Sequence, residues 1–180
     1  MIDGPPAFVV RRLRREDLGA FQAGMPAWNA REYTERLASQ ERGLAVQLVA
    51  WAGDHAVGKA MVVFPGHVEW SESAHRETCP EIRDLAVSEA WTRRGIGTAL
   101  VHAAEDEVRA AGFDRIGLGT GLEPSYGPAR AMYEGLGYRT AHGPFVSAAR
   151  LEDDEGRAIP VAGVCLYLVK TLAPAGGHPS

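Results

Sequence analysis

The run Arg93-Arg94-Gly95-Ile96-Gly97-Thr98 carries the residue types that hold a diphosphate. Its two glycines let the backbone turn where a Cβ would clash. The pattern then becomes helical: Leu100, Val101, Ala104, Val108 and Ala111 share one face of a helix predicted over Thr98 to Ala111, which Gly112 ends. The first N–H groups of such a helix lack intrahelical acceptors, and its positive dipole end points back at the turn. A diphosphate fits there, with Arg93 and Arg94 adding charge at the rim. The alternative is a plain strand-to-helix turn with solvated arginines. A lone Gly-x-Gly would favour it, but the surrounding sequence favours the binding turn. Two rival phosphate motifs fail on spacing. A dinucleotide fingerprint needs Gly or Ala three residues after Gly97, where Leu100 stands, and a P-loop needs Gly-Lys-Ser/Thr, which the chain lacks.

The elements that must position this turn can be read along the chain. Phe8 to Leu13 reads as a first strand, and Arg14 to Phe21 opens a helix with Asp17 as its cap. Met25-Pro26 breaks the chain, and Arg31 to Gly43 is helical in composition. Leu44 to Trp51 and Ala56 to Phe64 form an antiparallel hairpin around Gly53-Asp54-His55. Pro65 to Pro80 reads as a long polar loop, Glu81 to Val87 as the fourth strand and Arg115 to Gly119 as the fifth. Joined through a helix, those two strands should run parallel with a right-handed crossover. Pro128 starts a short helix that continues over Ala129 to Gly135. Phe145 to Leu151 and Val161 to Leu172 read as strands joined across the acidic turn Glu152 to Gly156. Residues 1–173 are expected to form one domain, with 174–180 a disordered tail.

Bulk properties narrow the function classes. The chain has 180 residues, 46% hydrophobic and 23% charged, enough for a real core. A net charge of −4 argues against a nucleic-acid surface. No apolar run reaches the roughly 20 residues of a membrane span, and the N-terminus lacks a signal-peptide pattern. Cys79 and Cys165 stand far apart with no ligand pattern around them, so reduced thiols in a cytoplasmic protein are expected.

From Glu81 to Tyr138 the chain resembles the GNAT acetyltransferase superfamily. The family's turn is Gln/Arg-x-x-Gly-x-Gly/Ala; Gly95 and Gly97 fill its small positions, and Thr92 stands where the family has Gln or Arg. The second motif is Asn-x-x-Ala-x-x-Leu-Tyr-Glu-x-x-Gly-Phe/Tyr. Tyr126, Ala129, Met132, Tyr133, Glu134, Gly137 and Tyr138 line up with it, Tyr126 replacing the asparagine after a longer loop. The resemblance implies a mixed α/β (α+β) fold: a mostly antiparallel sheet of about seven strands flanked by about four helices, its parallel strands four and five splayed around the cofactor. That cofactor would be acetyl-CoA. Its diphosphate would lie on backbone amides of Arg93, Arg94, Gly95, Ile96, Gly97, Thr98 and Ala99. Its pantetheine arm would run along Leu85, Ala86 and Val87, with Tyr126 at a further contact. A homodimer through the C-terminal strands is permitted.

Acetyl transfer to an amine sets definite demands. An alkylammonium has a pKa of about 10.4 and must lose a proton first; the leaving thiolate needs a proton, and the oxyanion a donor. The resemblance gives Tyr133 the acid role, which a phenol of pKa about 10 suits. Some family members open the fourth strand with a glutamate six residues before its last apolar residue. Glu81 and Val87 have that spacing, which makes Glu81 the base, acting through a water, or else a solvated acid. Strand alternation puts Asp84 on the opposite side from Glu81, unless a bulge intervenes. His67, Glu69, Trp70 and His75 form an acceptor wall, supply a base in place of Glu81, or belong to a solvated loop. His102 reads as exposed, and the acidic run as a solvated turn without metal. A covalent cysteine route is disfavoured, because Cys79 has no histidine partner and Cys165 lies in an apolar strand. The expected acceptor is a small-molecule or peptide amine. The alternatives are a non-catalytic acyl-CoA-binding module or a transferase with a different acyl donor.

Overall fold

The computed structural model describes residues 7–25, 30–67, 78–152 and 158–173. Seven strands form one sheet: β1 (Val9–Arg12), β2 (Ala45–Ala52), β3 (His55–Val63), β4 (Glu81–Val87), β5 (Arg115–Gly121), β6 (Arg139–Glu152) and β7 (Ala158–Thr171), in spatial order β1-β2-β3-β4-β5-β7-β6. Every neighbouring pair is antiparallel except β4 and β5, which are parallel. Four α-helices occur among the described residues: α1 (Leu18–Gly24), α2 (Ala30–Glu41), α3 (Ile96–Ala110) and α4 (Gly127–Gly135). The expected mixed sheet is therefore present.

The two faces of the sheet bury different partners. On one, the α3 stripe of Leu100, Val101, Ala104 and Val108 is fully buried against Val46, Leu48, Val62 and Ile116. Each such Leu or Val contributes roughly 1.5–3 kcal/mol by leaving water. Tyr133 and Tyr138, at the end of α4 and just beyond it, join this core. On the other face, Phe21 of α1 and Tyr33 and Leu37 of α2 pack on Val49, Trp51 and Ala56.

Several boundaries differ from the sequence reading. The long helix begins at Ile96, two residues early, because Gly95 takes the left-handed conformation (φ +80°) and starts the turn itself. Strand β6 begins at Arg139 rather than Phe145, since pairing with β7 is already in place at Arg139↔Val169 and survives two irregularities around His142. Asp17 does not cap α1. Its carboxylate accepts the Arg14 N–H at 3.0 Å and pairs with Arg11, closing a 3₁₀ turn over Arg15–Asp17 instead. The acidic turn over 153–156 and the tail 174–180 lie outside the described residues.

Candidate functional site

Strands β4 and β5 pair at only two positions, Glu81↔Gly117 and Ile82↔Leu118, and then diverge. Among the described residues, the edge of β4 that faces β5 has no strand on it from Arg83 to Val87, and neither does the facing edge of β5 from Gly119 to Gly121. Leu85, Ala86 and Val87 therefore border a gap between strands, lined by backbone donors and acceptors that must find partners elsewhere.

Above the gap stands the glycine turn. Arg93 (φ +62°) and Gly95 (φ +80°) are both left-handed, and the first helical ladder bond is Ala99 N–H to Gly95 O at 3.0 Å. The N–H groups of Ile96, Gly97 and Thr98 precede that bond and have no intrahelical acceptor. Left-handed turns of this kind present amides to anions. Arg94 is drawn aside: its guanidinium lies 4.9 Å over the Trp91 ring. Gly97 serves packing as well, because a Cβ there would stand 3.2 Å from Met132 Sδ and 4.0 Å from Val87 Cγ2. At the far rim, the exposed Tyr126 ring lies against Gly121, where a Cβ would come within 2.7 Å of Tyr126 Cδ2. Arg130, which the sequence did not single out, donates to Gly121 O at 2.5 Å and fixes the end of β5.

Tyr133 is buried on the α3 face and meets Tyr138 edge-on, ring centres 5.9 Å apart. The Tyr138 hydroxyl donates to Glu105 Oε1 at 3.2 Å, and Lys170 Nζ reaches the same oxygen at 2.7 Å. By contrast, the Tyr133 hydroxyl has no hydrogen-bond partner among the described residues. Burial pushes its pKa up to about 12, so it keeps its proton at neutral pH. Tyr138 is thus a structural pin, whereas Tyr133 is uncommitted.

Glu81 lies on the opposite face. It is buried, its Oε2 accepts from Arg83 at 2.9 and 3.1 Å, and the Tyr167 hydroxyl lies close enough to feel its charge. Burial, then Glu81 and Cys79, raise the Tyr167 pKa. Cys79 Sγ is 3.9 Å from that hydroxyl, and both cysteines are free thiols. Asp84 corrects the alternation argument. Between Met61↔Arg83 and Lys59↔Ala86 the register slips, so Asp84 and Leu85 share the single position opposite Ala60. Asp84 takes φ +51° in this bulge and its carboxylate swings to the Glu81 face, 3.7 Å from Lys59 Nζ and 2.5 Å from Arg36 Nη1. Burial pushes the Asp84 carboxyl up, but Lys59, then Arg36 and Arg83, outweigh it and hold it below the usual range. Burial lowers Lys59 to about 8, against the pull of Asp84. His67 is buried nearby, its pKa lowered by burial and then by Arg36, Arg83 and Arg42. Glu69, Trp70 and His75 lie outside the described residues. His102 is exposed, as expected.

The turn, the gap and the α4 helix thus meet at one place. Tyr133 and Glu81 do not touch; they flank the gap from opposite faces of the sheet. Among the described residues no three His, Cys, Asp or Glu side chains converge to hold a metal ion, and no helix is long and apolar enough to cross a membrane.

Comparison with known proteins agrees with this fold. The model of the acetyltransferase (GNAT) family matches residues 10–138. An uncharacterized N-acetyltransferase of Bacillus subtilis (strain 168), YsnE, is 28% identical over 90 residues, which span 50% of this chain and 53% of that protein. An N-acetyltransferase of Staphylococcus aureus Mu50 superposes with a TM-score of 0.65 at 14% identity, covering 93% of this chain and 99% of that one. The ribosomal-protein-S18-alanine N-acetyltransferase of Escherichia coli superposes at 0.59 with 17% identity, covering 94% and 97%. The yncA protein of Salmonella typhimurium, solved with acetyl-CoA, superposes at 0.61 with 14% identity, covering 97% and 98%. At these identities the structural likeness is one of fold.

Proposed function

The chain belongs to the acetyltransferase (GNAT) family, a family of acyl-transfer enzymes, and from that premise we propose that it moves an acetyl group from acetyl-CoA to a primary amine by direct attack in a ternary complex. The observation that carries the proposal is the divergence of β4 from β5 directly below the free N-terminus of α3. A long thioester with a diphosphate at one end matches that shape. The diphosphate would be held by amides from Arg93 to Thr98, the expected contact at Ala99 being ruled out because its N–H is spent on Gly95 O at 3.0 Å, and the pantetheine arm by the open edge at Leu85, Ala86 and Val87, with Tyr126 at the rim. Acetyl-CoA supplies the activated acyl carbon. Tyr133 holds the proton destined for the leaving sulfur. Glu81, fixed by Arg83, receives the amine's proton through a water. The same reading assigns the enzyme to the cytoplasm, acting on a small-molecule or peptide amine, with no nucleic-acid or membrane partner.

The test is twofold. Calorimetry should show one acetyl-CoA bound per chain, competed by CoA. Hydrolysis-corrected CoA release should rise with at least one member of an amine panel. Acetyl-CoA binding without amine-dependent release would leave a binding module instead of an enzyme.

A further inference from the structure

We propose that Asp84 anchors the acceptor's ammonium group at the head of the gap, on the face opposite Tyr133; this inference rests on the transferase reading above. Three observations converge on the residue. First, the bulge turns Asp84 away from the α3 core at the cost of a left-handed φ of +51°, a conformation that costs a non-glycine residue on the order of 1 kcal/mol and concentrates at working sites. Second, both cations behind it, Lys59 Nζ and Arg36 Nη1, make their closest approach to one oxygen, Oδ2, at 3.7 and 2.5 Å. Third, its side chain is 32% exposed, against 3% for Glu81, so of these two carboxylates on β4 it is the one open to an incoming group. A donor laid along Leu85 to Val87 from the α3 turn would bring its acyl end to this point.

The charges around Asp84 suit holding rather than deprotonating. Arg36 is balanced by Glu32 at 2.5 Å as well as by Asp84. Lys59 is buried beside the Tyr33 ring and holds its proton weakly, so it is the cation that yields when an ammonium docks at Asp84. In this reading Asp84 holds the ammonium, and the proton goes to Glu81 as in the transferase reading above.

The experiment measures CoA release with butylamine, spermidine and an aminoglycoside as ammonium acceptors. Methoxyamine, uncharged at neutral pH, serves as the control nucleophile. Asp84→Asn should raise KM for the ammonium acceptors by about tenfold or more, the worth of a charge-assisted hydrogen bond. It should leave kcat, the acetyl-CoA Kd and the methoxyamine KM essentially unchanged. Asp84→Gly, which adopts a positive φ freely, should do the same and serves if the asparagine variant does not fold. An unchanged ammonium KM overturns the inference, and so does an equal rise for methoxyamine, which would mark a packing role. Wild-type protein that binds acetyl-CoA but releases CoA with no amine sinks the transferase reading, and this inference with it.

Discussion

Tyr167 occupies the space that Gly117 leaves empty. A Cβ on Gly117 would overlap the Tyr167 hydroxyl and stand 2.5 Å from its Cζ. The ring crosses β5 at this notch and reaches Glu81, which is paired with Gly117 on the neighbouring strand. The placement of Glu81 therefore depends on a missing side chain on another strand.

Gly117→Ala should displace Tyr167 and loosen Glu81. Overpacking of this kind costs about 1–3 kcal/mol, read as a lowered Tm. Turnover should fall about tenfold or more, with acetyl-CoA affinity preserved. Gly119→Ala is the internal control, because a Cβ there meets nothing within 4 Å; its Tm should match wild type. Equal Tm values for both variants would contradict the notch.

Tyr133→Phe removes a proton that burial holds with a pKa of about 12. General-acid groups typically contribute about 10²-fold or more, so kcat should fall by that order while acetyl-CoA binding stays within about twofold. The sign of the pH effect follows from the raised pKa. The acid form works, and it persists below about 12, so Tyr133 should impose no alkaline loss of kcat between neutral pH and about 10. Unchanged kcat in the phenylalanine variant would remove Tyr133 from the mechanism.

How much of this was legible in the sequence depends on whether the cause was local. The α3 stripe of Leu100, Val101, Ala104 and Val108 was readable because helical periodicity and burial coincide within one element. The glycine turn was readable from composition, and strands β4 and β5 from their places on either side of the turn and its helix. The face of Asp84 stayed open between alternation and a bulge, because the bulge arises from the pairing of β3 with β4, which no residue of β4 announces. The start of β6 was hidden for the same reason: Gly143-Pro144 reads as a break until β7 is laid beside it. Lys59 sits in a strand otherwise buried and largely apolar, and only the fold sets it beside Asp84 and Tyr33. The place of Arg94 at the rim of the turn gave no hint of its stacking on Trp91.

The two glycines of the turn should respond differently to substitution. Gly95 is constrained by conformation, since its φ is +80° and a Cβ meets nothing within 4 Å. Gly95→Ala should cost about 1 kcal/mol from left-handed strain and weaken acetyl-CoA binding through the shifted amides. Gly97 is constrained by space, its Cβ position 3.2 Å from Met132 Sδ. Gly97→Val should therefore lower Tm by prying α3 from α4, as well as weakening binding. Calorimetry and thermal melts on both variants separate the effects. Wild-type affinity in folded Gly95→Ala and Gly97→Val proteins would count against the diphosphate assignment.

Lys59 makes stability depend on pH in an unusual direction. Its folded pKa lies near 8, below the 10.5 of an exposed lysine. Below pH 8 both folded and unfolded chains carry the proton, and folding bears the full cost of burying the charge. Between about 8 and 10.5 the unfolded chain binds more protons than the folded one, so stability rises with pH there. The full difference corresponds to an upper limit on the order of 3 kcal/mol, part of it shared with Asp84 and Arg36. Lys59→Met removes the titrating group, although it also removes one cation facing Asp84. Urea unfolding from pH 7.5 to about 9.5, below the titration of ordinary tyrosines, should show wild type gaining on the variant as pH rises. Parallel stability profiles would mean that Lys59 titrates normally in the folded protein, and the account of Asp84 with a yielding cation behind it would fall as well.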